Sequence, residues 1–167
     1  LTGNSVNGKI RNYSGYYLIV QAFLAAVGKA VEHKRPLRFP KMVGDSNIIP
    51  VDQVAECIGK VIEAGIIGEI LYVVNPTPPR SGWILGETLN YFGIRDWIKE
   101  LDISVEEYLR LELTEEERAF SRFATHFMPY WSLGYKFPSS ICTNNLIDHG
   151  YFSRILGVFS KEKEITL

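Results

Sequence analysis

Apolar residues crowd nearly every face of the stretch Tyr16 to Val31, the pattern of a helix buried between two layers. Ser14 or Asn12 stands where it can cap that helix, and Gly28 lies near its expected end. Asn47-Ile48-Ile49-Pro50-Val51-Asp52 predicts a short strand running straight into a helix, with Asp52 accepting the first free backbone amides as N-cap. Val51, Val54, Ala55, Ile58, Val61 and Ile62 then recur at helical spacing and form the cleanest amphipathic face in the chain. Gly65 and Gly68 end it, and the apolar, β-branched run Glu69 to Val74 predicts a buried strand. Asn75-Pro76-Thr77-Pro78-Pro79 stops that strand, because proline lacks a donor and restricts the residue before it. A further helix fits Ser81 to Phe92, closed by Gly93, with a brief extended piece at Ile94 to Trp97.

The segments around these are less regular. Leu1 to Asn12 is rich in Gly, Asn and Ser and reads as a loop. Lys29 to Lys41 carries Lys29, His33, Lys34, Arg35, Arg38 and Lys41 together with Pro36 and Pro40, so it holds at most a short edge strand at Leu37 to Phe39. Ser104-Val105-Glu106-Glu107 and Thr114-Glu115-Glu116-Glu117 both satisfy the capping-box pattern and predict two helix starts. The aromatic stretch Phe120 to Phe137, with Phe123, Phe127, Tyr130, Trp131 and Tyr135, either packs a core or binds something flat and apolar. A last helical piece near Asn144 to Leu156 and a charged tail, Lys161 to Glu164, follow.

Composition narrows the class. The 167 residues suit one domain of ordinary size, and 46% hydrophobic with 22% charged residues is the make-up of a globular protein, which excludes a disordered chain. A formal charge of -1 gives no reason to expect a nucleic-acid partner. Two isolated cysteines, Cys57 and Cys142, point to a reducing compartment and hence to a cytoplasmic location. The apolar stretch Tyr16 to Val27 is broken by Gln21 and falls short of the roughly 18 to 20 residues of a membrane span. No pattern of basic residues followed by an apolar stretch and a cleavage site supports a signal peptide, and Asn12-Tyr13-Ser14 reads as a chance match to a glycosylation acceptor.

Chemistry is sparse. No G-x-G-x-x-G or P-loop is present, and Gly3-Asn4-Ser5-Val6-Asn7-Gly8 follows no strand. His33, His126 and His149 lack metal-ligand spacing, and Asp148-His149 reads as surface residues near a helix end. Cys57 and Cys142 read as small core residues, while Ser139 and Ser140 lack the glycine-flanked elbow of a nucleophile. Glu115, Glu116 and Glu117 complement a helix dipole and are expected to stay solvated. The basic stretch Lys29 to Lys41 is either a solvated loop or a docking patch for phosphate or an acidic partner.

Three segments in order resemble the C-terminal portion of extended short-chain dehydrogenases/reductases, in particular the branch with thioester reductase domains and fatty acyl-CoA reductases. They are Gly3-Asn4-Ser5-Val6-Asn7-Gly8 with Tyr13 to Gln21, then Asn47 to Ala55, similar to an "N-x-x-P-V-D-x-V-A" stretch, and Ile70 to Pro76, similar to a late strand ending in Asn-Pro. The likeness covers about Leu1 to Asp96. It implies an α/β fold: the C-terminal half of a Rossmann-type reductase, with a few sheet strands and a helix-rich substrate-binding region. Residues 1–100 would end the Rossmann-type domain, and residues 101–167 would form a helical region packed on it as a single body.

The family's Tyr-x-x-x-Lys pair and glycine-rich cofactor turn do not occur here, so no catalytic residue is assigned and the resemblance implies the latter half of a larger enzyme. That enzyme would use NADP, or NAD, bound mainly by the other half, to reduce an acyl thioester on coenzyme A or a carrier protein to an aldehyde or alcohol. The resemblance places Gly3, Asn4 and Ser5 near the nicotinamide. It places Tyr16, Tyr17, Gln21 and the aromatics from Phe127 to Tyr135, Tyr130 and Trp131 among them, around an acyl pocket. Asn47 is a candidate substrate contact because an amide near a strand end donates and accepts at once, whereas Asp52 and Pro50 are structural first. A nucleotide-sugar epimerase or dehydratase of the same superfamily, and a non-catalytic acyl or carrier-protein binding module, are the alternatives.

Overall fold

The structure is a computed structural model that describes residues 2–134, 138, 141–142 (backbone) and 147–165. In chain order its elements are α1 (Tyr16–Glu32), β1 (Leu37–Pro40), α2 (Val51–Glu63), β2 (Val73–Val74), α3 (Ser81–Tyr91), a 3-10 turn (Arg95–Trp97), β3 (Ile98–Leu101), α4 (Val105–Leu109), α5 (Glu115–Ala124), a second 3-10 turn (Met128–Trp131), β4 (Ile141–Cys142) and α6 (His149–Glu162). The fold is mixed α/β, and both strand pairs, β1 with β3 and β2 with β4, are parallel. Two compact units form. One is drawn from Leu1–Asn12, Ser46–Pro79 and Tyr135–Ile165, the other from Tyr13–Asp45 and Arg80–Gly134, so the division interleaves along the chain.

The second unit is built on aromatic packing. Val20, Phe23, Leu24, Val27 and Ala30 of α1 are buried at helical spacing, as the apolar pattern requires. Phe23 meets Phe39 of β1 and Phe120 of α5 edge-on, at ring-centroid distances of 5.5 and 5.4 Å. Phe39 also lies 5.0 Å from Trp131. These distances are those at which ring quadrupoles attract. The expected strand at Leu37 to Phe39 forms, one residue longer, and pairs with β3, which the pattern did not announce because Ile98-Lys99-Glu100-Leu101 turns its two central residues outward. The expected extended piece at Ile94 to Trp97 is a turn of 3-10 helix leading into β3. Both capping boxes form as expected, each with its two reciprocal hydrogen bonds. At the first helix, by contrast, Gly15 and not Ser14 or Asn12 takes the N-cap position, with a positive φ.

In the first unit α6 supplies the core, with Tyr151, Phe152, Ile155, Leu156 and Phe159 all buried. It begins at His149 behind Asp148, whose carboxylate accepts the Tyr151 amide at 2.7 Å, and it runs on through Lys161 and Glu162; Asn144 to Leu146 of the expected piece lie outside the described residues. The expected helix from Val51 is present, but its apolar face is not covered: Cys57 is the one buried residue of α2, while Ile58 is 52% and Ile62 72% exposed. The expected strand at Glu69 to Val74 shrinks to Val73–Val74, and Asn47 to Val51 forms only an isolated bridge between Pro50 and Thr2. A strand exists only where a neighbour completes its ladder; among the described residues Val73 and Val74 pair with β4, while Ile70 and Tyr72 are exposed. Among the described residues no helix is long and apolar enough to cross a membrane.

The contrast between the two apolar sets is measurable by urea unfolding. Phe39→Ala opens a cavity among Phe23, Phe120 and Trp131 and is expected to cost about 3–5 kcal/mol. Ile62→Ala on the exposed face is expected to stay within about 0.5 kcal/mol. Equal losses from the two would show that the α2 face is buried after all.

Candidate functional site

The loop of residues 2–9 begins where Thr2 donates its amide to Ile49 O (3.1 Å) and accepts the amide of Val51 (3.3 Å). Two hydroxyls then serve three contacts. Tyr151 Oη donates to Gly3 O at 2.9 Å and lies 2.5 Å from Thr2 Oγ1, whose one hydrogen is shared between Tyr151 Oη and Ile49 O, 3.2 Å away. Burial, with the Thr2 bond acting against it, pushes the Tyr151 hydroxyl up to about 12, so it remains a neutral donor. Beyond Gly3 the backbone closes on itself: Asn4 N bonds Lys9 O, Gly8 N bonds Asn4 O, and Asn4 Oδ1 accepts the amides of Val6 and Asn7. Both glycines are demanded by that closure. A Cβ on Gly3 would meet Gly8 O at 2.6 Å, and Gly8 has φ +70° with its open side against Arg154 O.

Asp52 holds the far side of the loop. Its carboxylate accepts the Ser5 amide at 2.8 Å and the Ser5 hydroxyl at 2.5 Å, and Arg154 donates to Ser5 O at 3.1 Å. Asp52 was expected to be the N-cap of α2, but Pro50 occupies that position without a side-chain bond and Asp52 sits in the first turn. Ser5 supplies the two donors that a cap would have drawn from the helix. Burial raises the Asp52 carboxyl, yet the two Ser5 bonds outweigh it and leave it below its ordinary value.

Asn47 is exposed, and its Oδ1 accepts the amide of Asn75 at 3.0 Å. Asn75 itself is buried; it donates to Ile48 O at 3.2 Å and accepts the Thr77 amide at 2.9 Å. Gly3, Asn4, Ser5 and Asn47 thus belong to the first unit, whereas Tyr16, Tyr17, Gln21, Tyr130 and Trp131 belong to the second. There, Tyr16 Oη bonds Thr88 Oγ1 at 2.7 Å and its ring touches that of Tyr17, which is completely buried. Gln21 and Phe127 are half-buried, Tyr130 is 65% exposed, and Trp131 lies in the aromatic core with Phe39 and Phe120. Tyr135, Ser139 and Ser140 lie outside the described residues, as does the side chain of Cys142; Cys57 is buried.

Two charge runs that looked separate in the sequence meet in the second unit. His33 Nδ1 lies 2.5 Å and Arg35 Nη2 3.7 Å from the Glu116 carboxylate, which also accepts from Thr114 Oγ1 at 2.6 Å. Glu117 accepts from the Arg38 amide (2.8 Å), Nε (3.0 Å) and Nη2 (2.7 Å), and from the Thr114 amide (2.9 Å). Glu116 and Glu117 are therefore buried, not solvated as expected, and Lys29 and Lys41 pair with Glu32 and Asp102. An open hollow of about 840 Å³ beside them is lined by Arg35, Lys99 and Arg118 but also by Glu112, Glu115 and Glu117, so it offers no single sign of charge to a ligand. The Thr114 hydroxyl bond above all, then the α5 backbone and His33, lower Glu116 to about 2. Burial pushes Glu117 up, but its Arg38 and Thr114 bonds prevail and hold it low.

Among the described residues no group of three or more His, Cys, Asp or Glu is gathered that could hold a metal ion. Compared with family models, curated proteins and solved structures, the chain matches none. The basic stretch had an available partner in the sequence, the Glu115 to Glu117 run, but they are 83 positions apart at His33 and Glu116 and nothing local links them. Asn75 was visible only as the end of a strand.

A carboxyl lowered to about 2 from an ordinary 4.5 gives the folded state stability that is complete above about pH 4.5 and is lost as pH falls toward 2. Glu116→Gln is therefore expected to lower Tm at pH 7, with the gap to the unaltered protein narrowing between pH 4.5 and 2. A gap that stays constant over that range would show that the charge of Glu116 is not what stabilises this corner.

Proposed function

We propose that the chain is the substrate-side portion of a nicotinamide-dependent oxidoreductase of the extended short-chain type, reducing an acyl thioester carried on coenzyme A or a carrier protein. The observation that carries this reading is that the three segments resembling the thioester reductase branch are bonded to one another. Ser5 of the first donates twice to Asp52 of the second, 47 positions away, and Asn75 of the third is bonded to Asn47 and Ile48 of the second, 28 and 27 positions away. Segments so far apart have no local reason to carry matching donors and acceptors; a common architecture gives them one. The uncovered Ile58, Ile62, Ile67 and Ile70 are further support, since they are what a parallel sheet flanked by helices would present without its remaining strands.

In this reading the glycine-rich turn and the Tyr-x-x-x-Lys pair come from preceding sequence. In the 2–9 loop Asn4 commits its amide oxygen to the amides of Val6 and Asn7, and Val6 is 79% exposed, an apolar surface that would suit a nicotinamide ring. In this reading the thioester carbonyl carbon would receive a hydride from a nicotinamide cofactor held mainly by the preceding half, and with one proton the C–S bond would break to give aldehyde and thiol, a second hydride equivalent taking aldehyde to alcohol. Tyr16, Gln21 and Tyr130 keep accessible surface for the acyl group, while Tyr17 and Trp131 shape the unit from within. The pairing of His33, Arg35, Arg38 and Lys41 with carboxylates of the same chain argues against a module that docks through this basic stretch.

The test is NADPH oxidation by the protein including its preceding segment, with acyl-CoA and carrier-bound thioesters and, in parallel, nucleotide sugars. Thioester-dependent oxidation is expected there and none from the 167-residue chain alone. Turnover of nucleotide sugars instead would replace thioester reduction with epimerase or dehydratase chemistry. Preceding sequence without G-x-x-G-x-x-G and Tyr-x-x-x-Lys would overturn the oxidoreductase reading.

A further inference from the structure

We infer that the Asn7-Gly8 pair is a modification site: Asn7 loses its side-chain amide by cyclising onto the Gly8 nitrogen, giving aspartate and isoaspartate at position 7. Of the eight asparagines in the chain, Asn7 alone is followed by glycine, whose nitrogen has no Cβ beside it to hinder its approach. Asn7 is exposed, so water reaches it, and its Oδ1 accepts the Lys9 amide at 2.9 Å. A bond to the amide two positions on is an Asx turn, which folds the side chain back over the intervening peptide and draws electrons away from Cγ. Nucleophile and target in one short loop react without the cost of bringing them together. The balance needs water alone, and neither a cofactor nor a partner. The Gly8 nitrogen attacks Asn7 Cγ, the Cγ–Nδ2 bond breaks, and ammonia leaves with the Gly8 proton. The cyclic imide then takes up water across either of its C–N bonds. Opening on the Cγ side gives aspartate; opening on the main-chain side gives isoaspartate, which routes the chain through Cγ and adds one carbon to the backbone.

The fold sets the pace. Gly8 donates its amide to Asn4 O at 2.9 Å, and Asn4 donates to Lys9 O at 3.0 Å, so the nitrogen is free to attack only when that closure opens. Ser5 anchors the closure next door, its amide and hydroxyl held by Asp52. The same bonds protect Asn4, the other asparagine of the loop. Its Oδ1 holds the amides of Val6 and Asn7, and the nitrogen that would attack it, that of Ser5, is bound to a carboxylate at 2.8 Å. Isoaspartate has no room at position 7. A Cβ on Gly8 would meet Arg154 O at 2.9 Å, so a backbone lengthened just before Gly8 cannot keep both that close approach and the bond to Asn4 O, and the closure is lost.

The folded protein and a synthetic peptide of residues 4–10 are incubated side by side at neutral pH and followed by peptide mapping with an isoaspartate assay. Conversion is expected at position 7 and not at Asn4, about tenfold slower in the protein than in the peptide, the size of one hydrogen bond held closed. Asp52→Asn, with its fold checked by circular dichroism, loosens Ser5 and should bring the protein's rate back toward that of the peptide. Asn7→Gln, whose cyclisation needs a larger ring, should abolish conversion at that position. Protein carrying isoaspartate should exchange the amides of Asn4 and Gly8 faster than unconverted protein. No conversion at position 7 while the peptide converts completely would overturn the site, and so would conversion at Asn4 first. Equal rates in the protein, in Asp52→Asn and in the peptide would overturn control by the loop.

Discussion

Parallel strands of two and four residues leave most of their backbone donors and acceptors without a ladder, and each buried group left unpaired costs about 1–3 kcal/mol. Side chains from helices and loops make up the deficit in both units. In β1 the amide of Arg38 finds the carboxylate of Glu117, and in the first unit the amide of Asn75 finds the side chain of Asn47. Among the described residues the loop after Thr2 has no strand beside it, and it is held by Asp52, Tyr151 and Arg154. Where a sheet is short, the polar side chains that complete it become the residues on which local geometry depends.

That requirement explains why carboxylates are buried here. Glu117 is the third helical residue of a capping box and accepts the Thr114 amide, a local duty it could perform from the surface. Because it also serves the amide and the guanidinium of Arg38, it is drawn inside, where a charge is tolerable only when every oxygen is matched. Glu116 follows on the same turn and meets His33 and Arg35. One acidic helix start thus neutralises much of the basic segment between α1 and β1.

What could be read in advance divides by the distance between partners. The α1 and α3 spans, the two capping boxes and the turn at Gly65 depend on neighbours within four or five positions, and they follow from spacing alone. The partners of Ser5, Arg38 and Asn75 lie tens of residues away, and a carboxylate or amide in sequence does not say which distant donor it will meet. Asp52 illustrates the limit: its residue type fits an N-cap, but the helix starts behind Pro50, two positions earlier, and the Asp52 carboxylate in the first turn receives the Ser5 amide and hydroxyl. The apolar period of α2 correctly gave a helix and wrongly suggested a covered face, because period reports amphipathicity and not the presence of a partner.

These two properties of α2 bear on one another. A helix usually derives its placement from burial of its apolar face, yet here Ile58 and Ile62 remain exposed and Cys57 alone is buried. At its N-terminal turn the hold is polar: Asp52 grips Ser5 and the amide of Val51 reaches Thr2 O. Covering the isoleucines would restrict the same helix from its other end. A partner packed on Ile58 and Ile62 would therefore also steady Asp52 and, through its two Ser5 bonds, the 2–9 loop.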